Sequence, residues 1–139
     1  MSLVLDSSAT LAWIYADETT DEVRRIFEIV AEDGAHVPTL WRLEVANSLT
    51  VAARRGRIDV EFRNAALADL ALLNITTDPH TEADSWTTTL HLADRFHLTL
   101  YDAAYLELAH RRSLPLASLD EKLRDAGRAL GVSLLGAAA

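Results

Sequence analysis

Short apolar segments alternate with helix-like segments along almost the whole chain, and this alternation constrains the fold more than any other feature of the sequence. The intervening segments carry apolar residues at the spacing of a helix that buries one face. No Asn-Gly or Asp-Gly pair joins two neighbouring apolar segments, so tight hairpins are not expected. Strands connected through helices run parallel. The chain is therefore predicted to form an α/β fold, with a parallel sheet covered by helices on both faces.

The predicted elements follow from these spacings and from the turn and cap residues between them. Strands are expected over residues 3–5, 36–38, 74–77, 114–118 and 132–135. A first helix is expected directly after Asp6, and a second begins at a capping box of Thr19 and Glu22 and ends at Gly34. Further helices are expected over residues 40–55, 59–73, 83–96, 101–112 and 120–130. The helix over 40–55 is apolar almost all round and is expected to be largely buried.

Chain length and cysteine content narrow the class of protein. A chain of 139 residues falls within the size of one domain, so residues 1–139 are predicted to form a single domain. No cysteine is present, which excludes disulfides, zinc–thiolate sites, iron–sulfur clusters and thiol nucleophiles. No apolar run is long enough to span a membrane, and the N-terminus lacks the pattern of a secretory signal, so we expect a cytoplasmic protein.

Acidic residues lie at the positions where a parallel sheet of this kind binds its ligands. Asp6 follows the first predicted strand, and Asp120 lies just beyond the fourth. Asp102 opens the helix over 101–112, and Glu44 lies in the apolar helix over 40–55. Ligands of open α/β sheets bind at the carboxyl ends of strands, near the point where the strand order reverses. Asp6 and Asp120 are therefore expected to point into one crevice.

The three aspartates also have an ordinary structural explanation. They lie in sequences that match helix N-caps or capping boxes, namely Asp6, Thr99 with Asp102, and Ser118 with Glu121 around Asp120. Glu44 is harder to explain structurally, because a carboxylate among apolar neighbours is costly to desolvate unless it is paired, protonated or bound to a cation. Both the structural and the functional interpretation stay open for these acids.

Carboxylates that share a crevice of low dielectric repel one another, and a divalent cation is the simplest way to neutralise them. The histidines show no metal-binding spacing, so the candidate ligands are carboxylate oxygens, which favour Mg²⁺ or Mn²⁺ over zinc. Such a cation binds a phosphate oxygen, lowers the pKa of a water and stabilises the charge on the leaving oxygen. Together these effects amount to hydrolysis of a phosphodiester.

Four segments of the chain resemble a known family. They are residues 4–8 around Asp6, the Trp-x-x-Glu helix that contains Glu44, residues 98–109 around Asp102 and residues 114–123 around Asp120. Together they resemble PIN-domain ribonucleases and, more narrowly, the VapC toxins of bacterial and archaeal toxin–antitoxin pairs. The resemblance implies a three-layer α/β/α sandwich with a five-stranded parallel sheet, and metal-dependent endoribonuclease activity.

The resemblance also implies site residues and partners. The family's four acidic positions are matched by Asp6, Glu44, Asp102 and Asp120. Ser118 stands where the family often has threonine, and Ser8 stands where a small hydroxyl residue often supports the site. Family members are commonly homodimers that are inhibited by a small antitoxin, often through an arginine inserted among the acids.

Basic and aromatic residues near these acids are candidates for binding RNA. Arg54, Arg55 and Arg57 form the densest basic cluster and could hold phosphates, although basic residues are also favourable at a helix C-terminus. Trp13 and Trp41 could stack on bases, although large aromatics at helical spacing usually belong to the core. Both interpretations stay open for these residues.

The leading hypothesis is a Mg²⁺- or Mn²⁺-dependent endoribonuclease that acts as a toxin and pairs with a small antitoxin carrying a basic C-terminal segment. A receiver-like phosphoacceptor domain is one alternative, but it would need paired acids where this chain has Asp6-Ser7-Ser8. A non-catalytic PIN-like interaction module is another. The net charge of −8 argues against a broad nucleic-acid-binding face, so recruitment of RNA would depend on the metal and a few arginines.

Overall fold

The structure, a computed structural model, describes residues 1–137. The strands are β1 (Leu3–Leu5), β2 (Ala35–Val37), β3 (Ile75–Thr77), β4 (Leu116–Ala117) and β5 (Leu134–Leu135). The helices are α1 (Ser7–Ile14), α2 (Asp21–Asp33), α3 (Trp41–Arg54), α4 (Val60–Ala71), α5 (Thr81–Asp84), α6 (Thr88–Phe96), α7 (Leu100–Arg112) and α8 (Glu121–Ala129), with a 3₁₀ turn over Ala16–Glu18. The last two residues of the predicted domain over 1–139 lie outside the described residues, and that single domain stays a prediction.

All five strands pair in parallel, in the order β3-β2-β1-β4-β5, and helices cover both sides of the sheet. The chain first builds outward from β1 to β2 and β3 and then returns to the other side of β1 to add β4 and β5. The strand order therefore reverses between β1 and β4, whose pairing places Leu5 beside Ala117. The predicted α/β fold with a five-stranded parallel sheet is confirmed.

The centre of the sheet is the centre of the core. Leu3, Val4 and Leu5 of β1 have no exposed surface, because β1 lies between two strands and beneath helices on both faces. A strand buried on both faces is apolar without alternation, which explains why this segment has no polar residue before Asp6. In the described residues, no helix is long and apolar enough to cross a membrane.

Two predicted helices differ from the structure. The helix expected over 83–96 is broken into α5 and α6, because Thr87 leaves the helical conformation and the Ser85 hydroxyl bonds to the Thr81 carbonyl oxygen. The helix α3 was expected to be largely buried, but Leu43 is 76% exposed, and the buried positions are confined to Trp41, Val45 and Leu49. Helix α3 therefore packs on one face only, and the expectation of burial all round is wrong.

The N-cap of α2 also differs from the sequence prediction. Thr20, not Thr19, caps this helix, since its hydroxyl accepts a hydrogen bond from the Val23 backbone N–H at 3.2 Å. The Thr19 hydroxyl instead donates to the Ala12 carbonyl oxygen at 2.8 Å, near the end of α1. On sequence alone, either of the two adjacent threonines could cap α2. The contact of Thr19 with α1 leaves Thr20 as the cap.

A buried ionic network fixes α7 to the edge of the sheet. The Arg111 guanidinium near the end of α7 contacts Asp78, directly after β3, at 2.6 Å and Glu107, one turn earlier in α7, at 2.8 Å. Both carboxylate side chains are almost fully buried. Burial by itself raises the pKa of Asp78, but the hydrogen bonds and charge of Arg111, together with hydrogen bonds from the His80 backbone and Thr81, outweigh it and hold the pKa below its ordinary value. The network holds in place the helix that carries Asp102 at its other end.

Arg111→Met is expected to lower the free energy of unfolding by about 3 kcal/mol, because it leaves the buried Asp78 and Glu107 carboxylates without their shared partner. Urea denaturation at neutral pH measures the loss. Arg24→Met is the matched control, since it breaks an exposed pair with Asp21 and is expected to cost about 0.5 kcal/mol or less. Equal losses in the two variants would contradict the buried network.

Candidate active site

The candidate site lies where the strand order reverses. Asp6 follows β1 and begins α1, and Ser118 follows β4 on the neighbouring strand, with Asp120 two residues further on at the start of α8. The first turns of α3 and α7 carry Glu44 and Asp102 to the same edge. The charges of Asp6 and Asp102 accordingly raise the pKa of Glu44, and the charges of Asp6 and Asp120 raise the pKa of Asp102. Four segments that are distant in the chain therefore meet at one edge of the sheet.

Asp6 is the most buried of the four acids. Its Oδ2 accepts hydrogen bonds from the Ser118 hydroxyl at 2.5 Å and the Ser8 hydroxyl at 2.8 Å, and its Oδ1 accepts from the Ser7 hydroxyl at 3.2 Å. The Ser8 backbone N–H also donates to Oδ1 at 3.3 Å, which makes Asp6 the N-cap of α1. Burial raises the pKa of Asp6, and the serine hydroxyls only partly offset that rise.

The two serines bind the loops after β1 and β4 to each other. The Ser8 hydroxyl accepts a hydrogen bond from the Leu119 backbone N–H at 2.9 Å, and the Ser118 hydroxyl accepts from the Asp120 backbone N–H at 3.1 Å. The Ser8 hydroxyl therefore crosses to the loop after β4 through the bond that it accepts, and the Ser118 hydroxyl crosses to the loop after β1 through the bond that it donates to Asp6. Ser8 and Ser118, which were expected from the sequence to support the acids, both donate to Asp6, and their supporting role stays a prediction.

Glu44 lies in the first turn of α3 and is half-buried. The Tyr105 hydroxyl donates a hydrogen bond to its Oε1 at 2.5 Å. Burial raises the pKa of Glu44, and the charges of Asp6 and Asp102 raise it further, against the opposing effect of the Tyr105 hydrogen bond. The Tyr105 hydroxyl therefore holds the Glu44 carboxylate close to the other carboxylates.

Asp102 lies in the first turn of α7, whose N-cap is Thr99: the Asp102 backbone N–H donates to the Thr99 hydroxyl at 3.1 Å. Burial raises the pKa of Asp102, followed by the charges of Asp6 and Asp120, while Lys122 lowers it. Asp102 therefore lies within electrostatic reach of both aspartates at the ends of β1 and β4.

The structural and functional interpretations of the aspartates prove compatible. Asp6 and Asp120 are N-caps, and Thr99 caps the helix of Asp102 as the sequence predicted. Ser118 does not cap α8, because its hydroxyl donates to Asp6 and Asp120 takes the cap position with a bond from the Lys122 backbone N–H at 3.1 Å. Capping explains where each aspartate lies. It does not explain why the chain collects four acids whose mutual repulsion costs stability.

The donor set suits a hard divalent cation. It consists of carboxylate oxygens on three half-buried side chains, Glu44, Asp102 and Asp120, and on the buried side chain of Asp6 at the end of β1. In residues 1–137, no three His, Cys, Asp or Glu side chains stand close enough together to hold a metal ion directly. Mg²⁺ keeps several of its waters and is usually held by one or two carboxylates, so a set that ligates partly through water fits it better than zinc or calcium.

Tyr105 and Ser7 contribute to this site but were not predicted from the sequence; Ser7 donates to Asp6, and Tyr105 donates to Glu44. In the sequence, Tyr105 is an aromatic residue in an apolar stretch of α7, which is typical of a core position. Tyr105 lies one helical turn after Asp102 and therefore on the same face of α7. This spacing is the sequence signal that could have identified Tyr105.

The candidate RNA-binding residues are not gathered at the acids. Trp41 is buried, and its indole N–H donates to the Thr10 hydroxyl at 3.1 Å, so the suggestion that it stacks on bases is wrong. Trp13 is 42% exposed but stacks on Phe27 of α2. Arg54 and Arg55 are exposed at the end of α3, about 15 Å along the helix from Glu44.

Arg57, the third member of the basic cluster, is engaged elsewhere. It contacts Glu18 at 2.5 Å and lies 3.8 Å from the centre of the Tyr15 ring. These contacts join the loop after α3 to the 3₁₀ turn after α1. Of the basic cluster seen in the sequence, Arg54 and Arg55 are therefore the members that project freely from the end of α3.

Comparison with known structures supports the fold. A crystal structure of PAE2754 from Pyrobaculum aerophilum is similar with a TM-score of 0.67 and 25% identity, over 96% of this chain and 92% of that chain. FitAcB from Neisseria gonorrhoeae is similar with a TM-score of 0.64 at 15% identity, over 96% of each chain, which concerns the fold alone.

Sequence comparison shows the family. Ribonuclease VapC3 of Pyrobaculum aerophilum is 32% identical over 125 residues, which cover 90% of this chain and 94% of that protein. Ribonuclease VapC9 of Mycobacterium tuberculosis is 29% identical over 132 residues, covering 91% and 92% of the two chains. The family model for the PIN domain matches residues 3–129. That match spans every acid of the candidate site and all of the sheet except β5, and the chain belongs to the PIN domain family.

Proposed function

We propose that the protein is a Mg²⁺- or Mn²⁺-dependent endoribonuclease and the toxin of a type II toxin–antitoxin pair. The observation that carries this proposal is the buried carboxylate of Asp6, with Glu44, Asp102 and Asp120 around it, at the point where the strand order reverses. Relatives that cover nine-tenths of this chain are named as VapC ribonucleases, which supports RNA as the substrate.

Each acid has a role that follows from its surroundings. Asp6 lies at the end of β1, Asp102 at the start of α7 and Asp120 just beyond β4, and these three aspartates would hold the cation, directly or through its waters. Ser8 and Ser118 fix the direction of the Asp6 oxygens, because each hydroxyl donates to Oδ2. When bound, the cation supplies positive charge to a phosphate oxygen and to a water.

Glu44 is the residue best placed to act on the attacking water. Its Oε1 is engaged by Tyr105, which leaves Oε2 to serve as a ligand or to accept a proton from water. Its pKa, raised by burial and by Asp6 and Asp102, favours a proton acceptor more than an ordinary glutamate would. Attack on phosphorus then releases the 3′ oxygen and leaves a 5′-phosphate and a 3′-hydroxyl.

The chain's acidity shapes its partners under this proposal. With a net charge of −8, RNA is bound along a limited path at which the exposed Arg54 and Arg55, and the partly exposed Trp13, are the candidate contacts. A small antitoxin with a basic C-terminal segment suits the same acidic surface, with a cationic side chain entering the acids. A homodimer and a cytoplasmic location complete the proposal. A small reading frame for a basic-tailed protein directly upstream of this gene would favour a toxin over a housekeeping nuclease.

Cleavage of RNA is expected to need both the cation and Asp102. With Mg²⁺ or Mn²⁺ the purified protein is expected to cut single-stranded RNA, and EDTA abolishes cleavage because the acids then hold no cation. Asp102→Asn is expected to lower the rate by about 100-fold or more, since it removes a carboxylate from the cation site. End-labelled RNA resolved on a gel measures both effects.

Asp94→Asn is the matched control for this experiment, because it removes the same charge from an exposed position on α6. It is expected to cut at the rate of the unchanged protein. Activity that survives both EDTA and Asp102→Asn contradicts a metal-dependent mechanism and points to a contaminating nuclease or another site.

Burial of the acids and repulsion among them predict how the free energy of unfolding depends on pH. In EDTA, the raised pKa values of Asp6, Glu44 and Asp102 mean that the folded protein binds protons more tightly than the unfolded chain. The penalty is therefore fully present above the raised pKa values, and it is relieved as the pH falls through them from neutral towards the ordinary values of 3.8 and 4.5.

At neutral pH in EDTA, Asp102→Asn is expected to stabilise the protein by roughly 1 kcal/mol, or about 4 °C in melting temperature, because it removes a charge that is partly desolvated by burial and repelled by Asp6 and Asp120. Added Mn²⁺ is expected to raise the melting temperature of the unchanged protein more than that of the variant. Differential scanning calorimetry measures both. A variant that melts below the unchanged protein in EDTA would show that Asp102 is not repelled by its neighbours.

A further inference from the structure

Tyr105 combines complete burial with a polar contact inside the acidic site. The side chain has no exposed surface, and its hydroxyl donates to Glu44 Oε1 at 2.5 Å across 61 residues of sequence. Packing alone would be served as well by phenylalanine, which carries no hydroxyl to desolvate. A buried phenol that reaches a carboxylate therefore needs an explanation beyond the core.

The main chain of Glu44 is already attached to the site by another route. Trp41, one turn before Glu44, donates its indole N–H to the Thr10 hydroxyl at 3.1 Å, and Thr10 donates in turn to the Asp6 carbonyl oxygen at 3.0 Å. These bonds connect the first turn of α3 to the residue that follows β1. They place the backbone of Glu44 but leave its side-chain torsions free.

Electrostatic effects favour movement of the Glu44 side chain out of the acidic site. Burial and the charges of Asp6 and Asp102 disfavour its carboxylate charge in the site, and the side chain is only half-buried, so these effects favour movement of the carboxylate towards solvent when no cation is bound. The Ser7 hydroxyl also lies beside Glu44 and Tyr105, but it donates its hydrogen bond to Asp6 Oδ1 at 3.2 Å. A hydroxyl shared with another carboxylate is a weaker tether than the Tyr105 bond.

We propose that Tyr105 is a positioning residue that keeps the Glu44 carboxylate in the acidic site and assigns its two oxygens. Its hydroxyl occupies Oε1, so Oε2 is the oxygen presented to the cation or its water. The role of Oε2 rests on the proposed function. The hydrogen bond between Tyr105 and Glu44 does not, because it is a property of the folded chain. Tyr105 touches neither substrate nor cation and acts through Glu44.

Binding of Mn²⁺ in the absence of RNA tests this role. Tyr105→Phe removes the hydroxyl and keeps the ring, and it is expected to weaken Mn²⁺ binding about 10-fold because the Glu44 charge is no longer held at the site. Glu44→Gln is expected to weaken binding at least as much. Tyr15→Phe is the matched control: it removes a hydroxyl from another buried tyrosine, whose ring packs against Arg57, and it leaves binding unchanged. Isothermal titration calorimetry on the full chain measures all three.

A double-mutant cycle separates positioning from packing. If Tyr105 acts through Glu44, Tyr105→Phe in the Glu44→Gln background changes Mn²⁺ affinity and kcat by less than about twofold. A packing role would instead cost the same in both backgrounds. In the otherwise unchanged chain, Tyr105→Phe lowers kcat for RNA about 10-fold with KM unchanged, because RNA contacts other residues.

The outcomes distinguish this inference from the proposed function. If the unchanged protein neither binds Mn²⁺ nor cuts RNA, the proposed function fails, and the tether is then judged by proton NMR. The Tyr105 hydroxyl is expected to give a downfield resonance, protected from exchange, that Glu44→Gln shifts upfield. The same measurement serves if Tyr105→Phe does not fold. Wild-type affinity and kcat in folded Tyr105→Phe, additive effects in the cycle, or a hydroxyl resonance that is absent or unmoved by Glu44→Gln each overturn the inference.

Discussion

The buried carboxylate of Asp6, at the end of the central strand, is the constraint on which the rest of the structure depends. A charge in that position is costly, and the chain offsets the cost with three serine hydroxyls and one backbone N–H. Ser118 belongs to the neighbouring strand connection, so the bond that stabilises Asp6 also brings the end of β4 beside the end of β1. Fold and site are coupled through one carboxylate.

The other acids reach this point through helices that are each tied down separately. Helix α3 is attached by Trp41 and Thr10 to the main chain of Asp6. Helix α7 is held at its far end by Arg111, whose buried partner Asp78 follows the edge strand β3. Because these contacts do not involve the carboxylates of the site, they can oppose the repulsion among those carboxylates. The site is thereby preorganised at a cost in stability that other parts of the fold offset.

Structural features that depend on neighbouring residues can be predicted from the sequence, whereas features that depend on a distant residue cannot. The apolar run of β1 and the cap geometry of Asp6 and Thr99 depend on neighbouring residues, and both follow from the sequence. The exposure of Leu43 does not, because the side of α3 that meets the core is chosen by tertiary packing. Tyr105 looks like a core residue for the same reason, since its partner lies 61 residues away.

Charge balance explains why an acidic chain of this kind would need its cation before its substrate. RNA approaching a protein of net charge −8 is repelled at long range, and the four clustered acids strengthen that repulsion at the site. Arg57 and Arg111 do little to counter it, since both are paired with carboxylates within the protein. Under the proposed function, the strength of this local negative field therefore depends on whether a divalent cation is held there. A basic side chain from a protein partner would change the same field, and it would compete for the carboxylates that a cation requires.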